Sequence, residues 1–371
     1  MTRHGRSARI AIALVLPACI AALAACEGEP VGPSSPLTGH DQPEDFVVPP
    51  DGGSKTDAFS ATFNRNRVVS EGFFGASAMV GADAVQAFLE RTPYGTRSWL
   101  ADAKVGEKRA ADAVCEAAVA KGINPVVLLA RMQVEKSLVG RETAPSGHTR
   151  DYAFGCGCPD DRACNPAFKG LDKQLACAAE TLANLRLASV DGSGEWVRGR
   201  STRSSDGYTV KPYNHATAAL YGYTPWVLEG KGGNWLVWNV TRKFAIHFEE
   251  MGLADLDDPR LGDPWVGRPC TDHAECDFAA DGSQGFCFVF DAAGEKRGFC
   301  SLPCEGYCPD LAGTAPTFCA SQDGHSGFCT PRAHELNGHC AAIPGTAAVE
   351  ADRYIGSSGA PAITATVCLP Q

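Results

Sequence analysis

The chain has 371 residues, with 43 acidic and 33 basic side chains and a formal net charge of −10. This acidic balance makes nucleic acid a poor candidate partner, because no excess of Lys and Arg is present to neutralise phosphates. The length allows about two domains.

The first 26 residues have the pattern of a bacterial export signal. Arg3, Arg6 and Arg9 precede an almost entirely apolar run over residues 10–25, which is too short for a stable membrane span. The run closes with the letters LAAC and so resembles the bacterial lipobox. This resemblance implies that Cys26 becomes the lipidated first residue of the mature protein. An ordinary cleaved signal with an incidental cysteine is the alternative.

The predicted mature chain is more acidic and rich in cysteine. Removal of residues 1–25 takes away three arginines and no acid, which changes the net charge from −10 to −13. By resemblance to the lipoproteins, Glu27 after the anchor favours the outer membrane. Beyond Cys26 the chain has 15 cysteines, in a compartment where disulfides persist. The odd number predicts at least one free or intermolecular thiol.

The composition of residues 26–57 predicts a tether. The segment is rich in proline and has few large apolar side chains. Such a composition cannot bury enough surface to offset the loss of chain entropy on folding. If partly extended, the segment would have a reach on the order of 30 Å or more.

Residues 58–258 have helical periodicity and no convincing strand alternation. Gly122 marks the end of one predicted helix, and Asn124 can cap the next, with Pro125 in its first turn. The predicted helices cover 107–121, 126–138, 171–185, 214–220 and 234–247.

The chain changes character after Pro264. Residues 265–371 contain ten cysteines among Gly, Pro, Asp and Ser, and the tripeptide Gly-Phe-Cys occurs three times. A small core of this kind needs disulfides as its main constraint. Zinc is the competing explanation, but the CxxC pairs of a zinc ribbon are missing. We therefore expect a mainly α fold, in which a helical domain precedes a small, disulfide-rich C-terminal domain of irregular or β structure.

One glutamate has an unusual position in the predicted helix 126–138. Leu128, Met132 and Glu135 share the apolar face of this helix, so Glu135 projects towards a core or a cleft. Desolvation and the negative end of the helix dipole both favour a protonated carboxyl group, which glycosidic cleavage requires of its general acid. The alternative is a helix-end glutamate that reaches solvent or pairs with Lys136 or Arg131.

Several segments occur in an order that resembles lysozyme-like domains of bacterial cell-wall proteins. They are AVQAFLE, WLA, INPVVLLARMQVEKSLV, GCGCPDDRAC and YNHATAALYGYTPWV, and the match covers most of residues 70–250. The resemblance is to lytic transglycosylases and glucosaminidases, and it implies a lysozyme-like fold for this domain. It implies that Glu135 is the catalytic acid, and that Tyr213 and Asn214 line the cleft and bind substrate.

The resemblance implies cleavage of the β-1,4 glycan of peptidoglycan, or of a related amino-sugar polymer. No second carboxylate is placed by a motif, although Glu142, Asp151 and Asp160 are near in sequence. A single-acid mechanism fits better, in which Glu135 acts as acid and then as base. It requires no metal and no cofactor. The alternative is a non-catalytic glycan-binding or adhesive lipoprotein that reuses the fold, with a surface ligand on the Cys-rich domain.

Cysteines near this region are candidates for disulfides. We expect Cys158 and Cys164 to close a small loop beside the cleft. A second bridge would join Cys115 with Cys177, or would use Cys156, and the sequence leaves this pairing open. A zinc site formed by His148 with the cysteines of residues 156–164 is the less favoured alternative.

Overall fold

The computed structural model describes residue 41 and residues 58–371, except residues 61, 160, 161 and 312. The predicted signal segment, Cys26 and the tether other than Asp41 lie outside the described residues. The α-helices of the described part are α1 (Glu71–Gly75), α2 (Ala82–Glu90), α3 (Ala110–Ala120), α4 (Pro125–Lys136), α5 (Gly147–Asp151), α6 (Leu171–Val190), α7 (His215–Tyr223) and α8 (Gly233–Glu250). The five helices predicted from periodicity and capping are confirmed as α3, α4, α6, α7 and α8.

The strands are short and pair antiparallel. They are β1 (Lys104–Val105), β2 (Lys108–Arg109), β3 (Thr202–Arg203), β4 (Thr209–Val210), β5 (Ala279–Ala280), β6 (Ser283–Gln284), β7 (Phe286–Ala292), β8 (Glu295–Ser301), β9 (Pro303–Cys304), β10 (Thr317–Ala320), β11 (Gly327–Pro331), β12 (Thr346–Asp352) and β13 (Thr364–Pro370). The largest sheet has the order β10-β11-β9, and the other strands form two-stranded pairs.

The expectation of a mainly α fold is wrong. Of the residues that the structure describes, 35% are helical and 18% are in strands, and most of the strand content lies in the disulfide-rich C-terminal region. Strands of two residues are too short to show an alternation of apolar and polar side chains. In the C-terminal region, disulfides replace much of the apolar strand face that would produce this alternation. The architecture therefore combines a helical part with a β-rich, disulfide-bonded part.

The helical part is built around α4. Asn124 caps this helix, since its side chain accepts a hydrogen bond from the Val126 backbone N–H at 3.0 Å. Every residue from Pro125 to Gln133 is buried, so the helix is surrounded by protein along most of its length. It packs chiefly on α8, and α6 packs on α7. The helix ends at Ser137, whose φ of 50° is left-handed.

The C-terminal part is held by five disulfides, which confirms the prediction of a cysteine-rich, disulfide-bonded region. They join Cys270 to Cys287, Cys276 to Cys300, Cys304 to Cys319, Cys308 to Cys329, and Cys340 to Cys368. Two small cores accompany them, one of which lies around stacked phenylalanines of β7 and β11. Two groups of three sulfurs lie close enough to suggest a metal, but each of these sulfurs is in a disulfide.

A buried carboxylate, Asp263, contributes to the junction between the two parts. Asp263 accepts hydrogen bonds from the Arg67 guanidinium at 2.5 Å, the Glu71 backbone N–H at 2.9 Å and the Asn214 side-chain amide at 2.7 Å. Its side chain is only 6% exposed. The residues between 258 and 265 are therefore attached to α1 and to the start of α7.

In the part of the chain that the structure describes, no single helix combines the length and the apolar composition needed to cross a membrane. The consecutive helices α3 and α4 satisfy both criteria when taken together, but they are bent by 116° relative to each other.

Candidate functional site

Glu135 lies in the last turn of α4, where that helix emerges from the core. Its side chain is 18% exposed, whereas the residues before Val134 are buried. The sequence therefore predicted correctly that Glu135 sits at the inner face of a buried helix. Its carboxylate therefore keeps some contact with solvent.

A buried cation accompanies this carboxylate. The Arg131 guanidinium has no exposed surface and forms an ion pair with Glu135, one turn later on the same helix. Its Nη2 also donates a hydrogen bond to Thr224 Oγ1 at 2.8 Å, and its Cζ lies 4.2 Å from the centre of the Tyr223 ring. Pairing with Arg131 was the alternative for Glu135, and the structure adopts that contact. The purely apolar surroundings expected for Glu135 are absent, because the Arg131 guanidinium lies against its carboxyl group.

Arg131 is incompletely paired. Among the described residues, its Nε and Nη1 have no hydrogen-bond partner, although both atoms are buried. A buried guanidinium without a counter-ion is costly, so the carboxylate of Glu135 offsets part of the cost of burying Arg131. The same contact fixes the position of the Glu135 carboxylate.

Tyr213 and Asn214 lie away from Glu135. Asn214 caps the start of α7 by accepting a hydrogen bond from Thr217 N–H at 2.8 Å, and Tyr213 is 39% exposed beside it. The residues that contact Arg131 are Tyr223 and Thr224, at the other end of this helix. At 1.5 Å per residue, the ten positions from 214 to 224 span about 15 Å. The predicted substrate-binding pair is therefore not adjacent to the predicted acid, and its role stays a prediction.

Gln133 takes part in a polar cluster that the sequence did not reveal. Its Nε2 donates to Asp41 at 2.6 Å, and its Oε1 accepts from Gly140 N–H at 3.0 Å. Asp41 is buried and also pairs with Lys243 at 3.0 Å and with the Tyr94 hydroxyl at 2.9 Å. A single aspartate in a proline-rich segment carries no sequence signal for such a contact. The predicted tether is thus attached to the helical part through Asp41, its one described residue.

The aromatic residues after Asn214 are largely part of the core. Tyr221 is fully buried and stacks on Trp196 with ring centres 4.8 Å apart, and Trp238 is 3% exposed. Trp235 packs against the same core. Aromatic residues this close in sequence can line a saccharide groove or pack in a core, and these three positions belong to the core.

The disulfides near the site settle the cysteine pairing. Cys158 bonds to Cys164 as expected, and Cys156 bonds to Cys177. The candidate bridge from Cys115 is wrong: Cys115 is a buried free thiol on α3, and burial raises its pKa to about 11. Cys156 lies within reach of Cys177 because the loop that contains it is fixed on α6, where Gln174 bonds both its N–H and its carbonyl.

The remaining candidates are the zinc ligands around His148 and a second catalytic carboxylate. The three cysteines proposed with His148 as zinc ligands are all in disulfides, which leaves no thiolate among them. Asp151 pairs with Lys169 at 3.4 Å, and Glu142 is exposed. Asp160 lies outside the described residues. Neither Glu142 nor Asp151 has a contact with Glu135 that would place it as a second catalytic carboxylate.

Comparison with known proteins adds no relative. No family model, no curated protein and no solved structure matches the chain. The lysozyme-like resemblance thus stands on the motifs quoted above.

Proposed function

We propose that the chain is a peptidoglycan-cleaving glycosidase or lytic transglycosylase, with Glu135 as general acid and base. The observation that carries this proposal is the place of Glu135, a partly exposed carboxylate at the end of an otherwise buried helix. The buried Arg131 guanidinium holds this carboxylate in a fixed position. A catalytic carboxyl group needs both the access and the fixed position.

In the proposed mechanism Glu135 acts twice. In its protonated form it donates a proton to the glycosidic oxygen, and the bond from that oxygen to the sugar C1 breaks. The resulting carboxylate then takes the proton of the substrate's own 6-hydroxyl while that oxygen bonds to C1, which gives an anhydro-sugar. Arg131 stabilises the carboxylate between the two steps. If water replaces the 6-hydroxyl, the same steps give hydrolysis.

The export signal and Cys26 support a location at the outer membrane, as a lipid-anchored protein near the peptidoglycan layer. The buried carboxylate of Asp41 is bound to the helical part, so the distance from the lipid to this attachment is limited by the residues between Cys26 and Asp41. From Cys26 to Asp41 the chain has 15 steps, which span at most about 50 Å when fully extended. This reach would restrict the site to a layer close to the membrane.

Digestion of purified sacculi by the full-length chain in detergent tests the function. We expect the wild type to release soluble muropeptides and Glu135→Gln to release almost none, while Glu142→Gln, at an exposed glutamate nearby, keeps activity. Anhydro ends in the mass spectrum identify a transglycosylase, and reducing ends identify a hydrolase. Absence of release by the wild type contradicts the proposal, as does equal release by Glu135→Gln.

A second function is favoured by the same ion pair. The contact with Arg131 can explain Glu135 as a structural residue, the counter-ion of a buried guanidinium. Tyr213 and Asn214, the predicted substrate-binding residues, are not adjacent to Glu135. A non-catalytic glycan-binding or adhesive lipoprotein would have this arrangement, with the disulfide-rich part as its contact surface. It predicts stoichiometric binding of the full-length chain to sacculi with no release of soluble fragments. Catalytic release at substoichiometric protein would exclude it.

A further inference from the structure

One patch on the helical part is positively charged, at the place where a turn packs on a hairpin. The turn covers residues 64–67, and the hairpin joins β3 to β4. Arg65 Nε donates a hydrogen bond to the Thr209 carbonyl at 3.2 Å, and the Lys211 backbone N–H donates to the Asn66 side-chain oxygen at 2.8 Å. These bonds place the turn against β4. We call this patch the cationic surface, and its exposed members are Arg65, Arg200, Arg203, Tyr208 and Lys211.

The two remaining arginines of the cationic surface lie close to this contact. Arg203 is directly opposite Thr209 in the register of the hairpin. The Gly199 N–H donates a hydrogen bond to the Pro212 carbonyl at 2.8 Å, so the next residue, Arg200, lies beside the segment that follows β4. Backbone hydrogen bonds therefore hold the four basic residues in one small patch.

The four cations have no carboxylate partner among the described residues. Arg65 and Arg200 donate hydrogen bonds only to backbone carbonyls, which orient the guanidinium groups without compensating their charge. The two other arginines of the neighbouring chain each lie beside an aspartate, in the pairs Arg67–Asp263 and Arg198–Asp277. Those two charges are therefore matched, and the charges of the cationic surface are not.

Negative charge near the cationic surface is smaller than the positive charge. Residues 62–67 and 195–213 contain two acids, Glu195 and Asp206. Asp206 accepts hydrogen bonds from the backbone N–H groups of Val227 and Leu228 at 3.1 and 2.8 Å, so its carboxylate faces that loop. Four unmatched cations against two acids leave a net charge of +2, on a chain whose formal charge is −10. An anionic partner is therefore attracted to this surface and repelled by the acidic remainder of the chain.

The attachment of the tether lies near the cationic surface. Phe63 directly precedes the turn and packs on Trp238 of α8, with ring centres 5.9 Å apart. Lys243, five residues further along α8, binds the Asp41 carboxylate at 3.0 Å. Five residues span about 7.5 Å along a helix. The predicted tether from Cys26 therefore reaches the helical part close to this surface.

We propose that the cationic surface docks on the anionic lipid headgroups of the membrane that holds the lipid of Cys26. The excess of positive charge favours a phosphate-bearing partner, and the nearby tether favours a membrane over a soluble partner. A lipid anchor alone leaves the chain free to rotate, whereas a basic patch supplies a second contact that fixes its orientation. Each Lys or Arg near an anionic surface strengthens such a contact about fivefold.

Tyr208 fits the same partner. It is 42% exposed, and the Arg65 guanidinium carbon lies 5.6 Å from the centre of its ring. Tyrosine is frequent at membrane–water interfaces, because its ring is apolar and its hydroxyl group is polar. The cationic surface adjoins the start of α7, whereas the partner of Glu135, Arg131, contacts Thr224 just after its end. The inference therefore rests on the predicted lipid anchor and is independent of the proposed cleavage.

Hydrogen exchange of the processed, lipidated chain held in vesicles tests the docking. One sample has vesicles of phosphatidylglycerol and phosphatidylcholine in a ratio of one to two, and the other has phosphatidylcholine alone. We expect amide exchange of residues 200–211 to be about threefold slower on the anionic vesicles, which corresponds to a surface that is docked about two thirds of the time. Sodium chloride at about 0.5 M should abolish this difference, because it screens exposed charges.

Variants assign the docking to the named cations. Arg203→Gln with Lys211→Gln should lower the docking constant about 25-fold, so that both kinds of vesicle give the same exchange rate. Lys104→Gln with Lys173→Gln is the matched control, because it removes two exposed lysines near the start of α6. The other end of α6, about 30 Å away, adjoins the start of α7 and the cationic surface. The control should exchange as the wild type does.

Five results overturn the inference. They are a chain that stays off both kinds of vesicle, equal exchange on both, slower exchange that persists at high salt, slower exchange that persists in Arg203→Gln with Lys211→Gln, and an equal loss in the lysine control. Soluble polyglutamate, added to the phosphatidylcholine sample, separates a membrane from any acidic polymer. If it slows residues 200–211 as much as the anionic vesicles do, the claim of a membrane partner falls.

Discussion

The ion pair between Arg131 and Glu135 leads to a prediction about stability. Glu135→Gln leaves a guanidinium with no exposed surface and no counter-ion. Breaking a buried pair in this way costs about 3–5 kcal/mol, and the lower end applies here because the Gln amide oxygen still accepts a hydrogen bond. The variant should therefore be about 3 kcal/mol less stable than the wild type.

A second substitution should reverse part of this loss. In the double variant Arg131→Met, Glu135→Gln the uncompensated cation is gone, and Met fills the apolar space with a flexible side chain. Replacement of a buried ion pair by apolar groups of similar volume is often neutral, so we expect the double variant to regain about 1–3 kcal/mol relative to Glu135→Gln.

Urea unfolding with intact disulfides, followed by the helical circular dichroism signal, measures the effect. With a slope of about 3 kcal/mol per M, the single variant should shift the midpoint by about 1 M. Lys136→Gln, at the exposed neighbour of Glu135, is the control and should stay within about 0.5 kcal/mol of the wild type. If the double variant is less stable than Glu135→Gln, the two residues act independently and the account of the pair is refuted.

Three further predictions concern other parts of the chain. Burial raises the pKa of Cys115 to about 11, so the native, processed chain should show no thiol reaction at pH 8 and one thiol after unfolding. Burial alone would raise the pKa of Asp206, but backbone N–H groups of Leu228 and Val227 hold it below its usual 3.8. Asp206→Asn should therefore lower the thermal midpoint at pH 7, and the difference should shrink as pH falls towards 3. Removal of the disulfide at Cys177, which closes a loop of 21 residues, should cost about 3 kcal/mol in unfolding experiments.

Each of these has a result that contradicts it. A thiol that reacts in the native chain would show that Cys115 is accessible. A destabilisation by Asp206→Asn that is the same at pH 7 and pH 3 would mean that the ionised carboxylate does not stabilise the fold. For the disulfide, the test is Cys156→Ala with Cys177→Ala, and an unchanged unfolding midpoint would exclude a structural role of that bridge.

Local patterns in the sequence predict the helices well. The cap at Asn124, the proline after it and the apolar spacing locate α4 to within about two residues, and they place Glu135 in its last turn. These signals suffice because capping and periodicity depend on neighbours along the chain. The sequence also identified the two possible partners of Glu135, which are Arg131, four residues before it, and Lys136, one residue after it.

Contacts between distant segments could not be predicted in the same way. Asp41 meets Gln133 across 92 positions of the chain, and nothing in either segment signals the other. The order of residues along α7 predicts that Asn214 starts the helix, but tertiary packing decides that its other end faces Arg131. The odd number of cysteines predicted a free thiol. That Cys115 is this thiol depends on how the helices pack against one another, which the sequence does not reveal.

The most direct test of the central claim is the initial rate of muropeptide release from sacculi by the wild type, Glu135→Gln and Lys136→Gln. The rates are compared at a temperature where circular dichroism shows all three chains to be folded. The account predicts that Glu135→Gln loses at least about 100-fold in rate, as expected for loss of a general acid, and that Lys136→Gln does not. A folded Glu135→Gln chain that releases muropeptides at the wild-type rate would contradict the claim that this carboxyl group carries the chemistry.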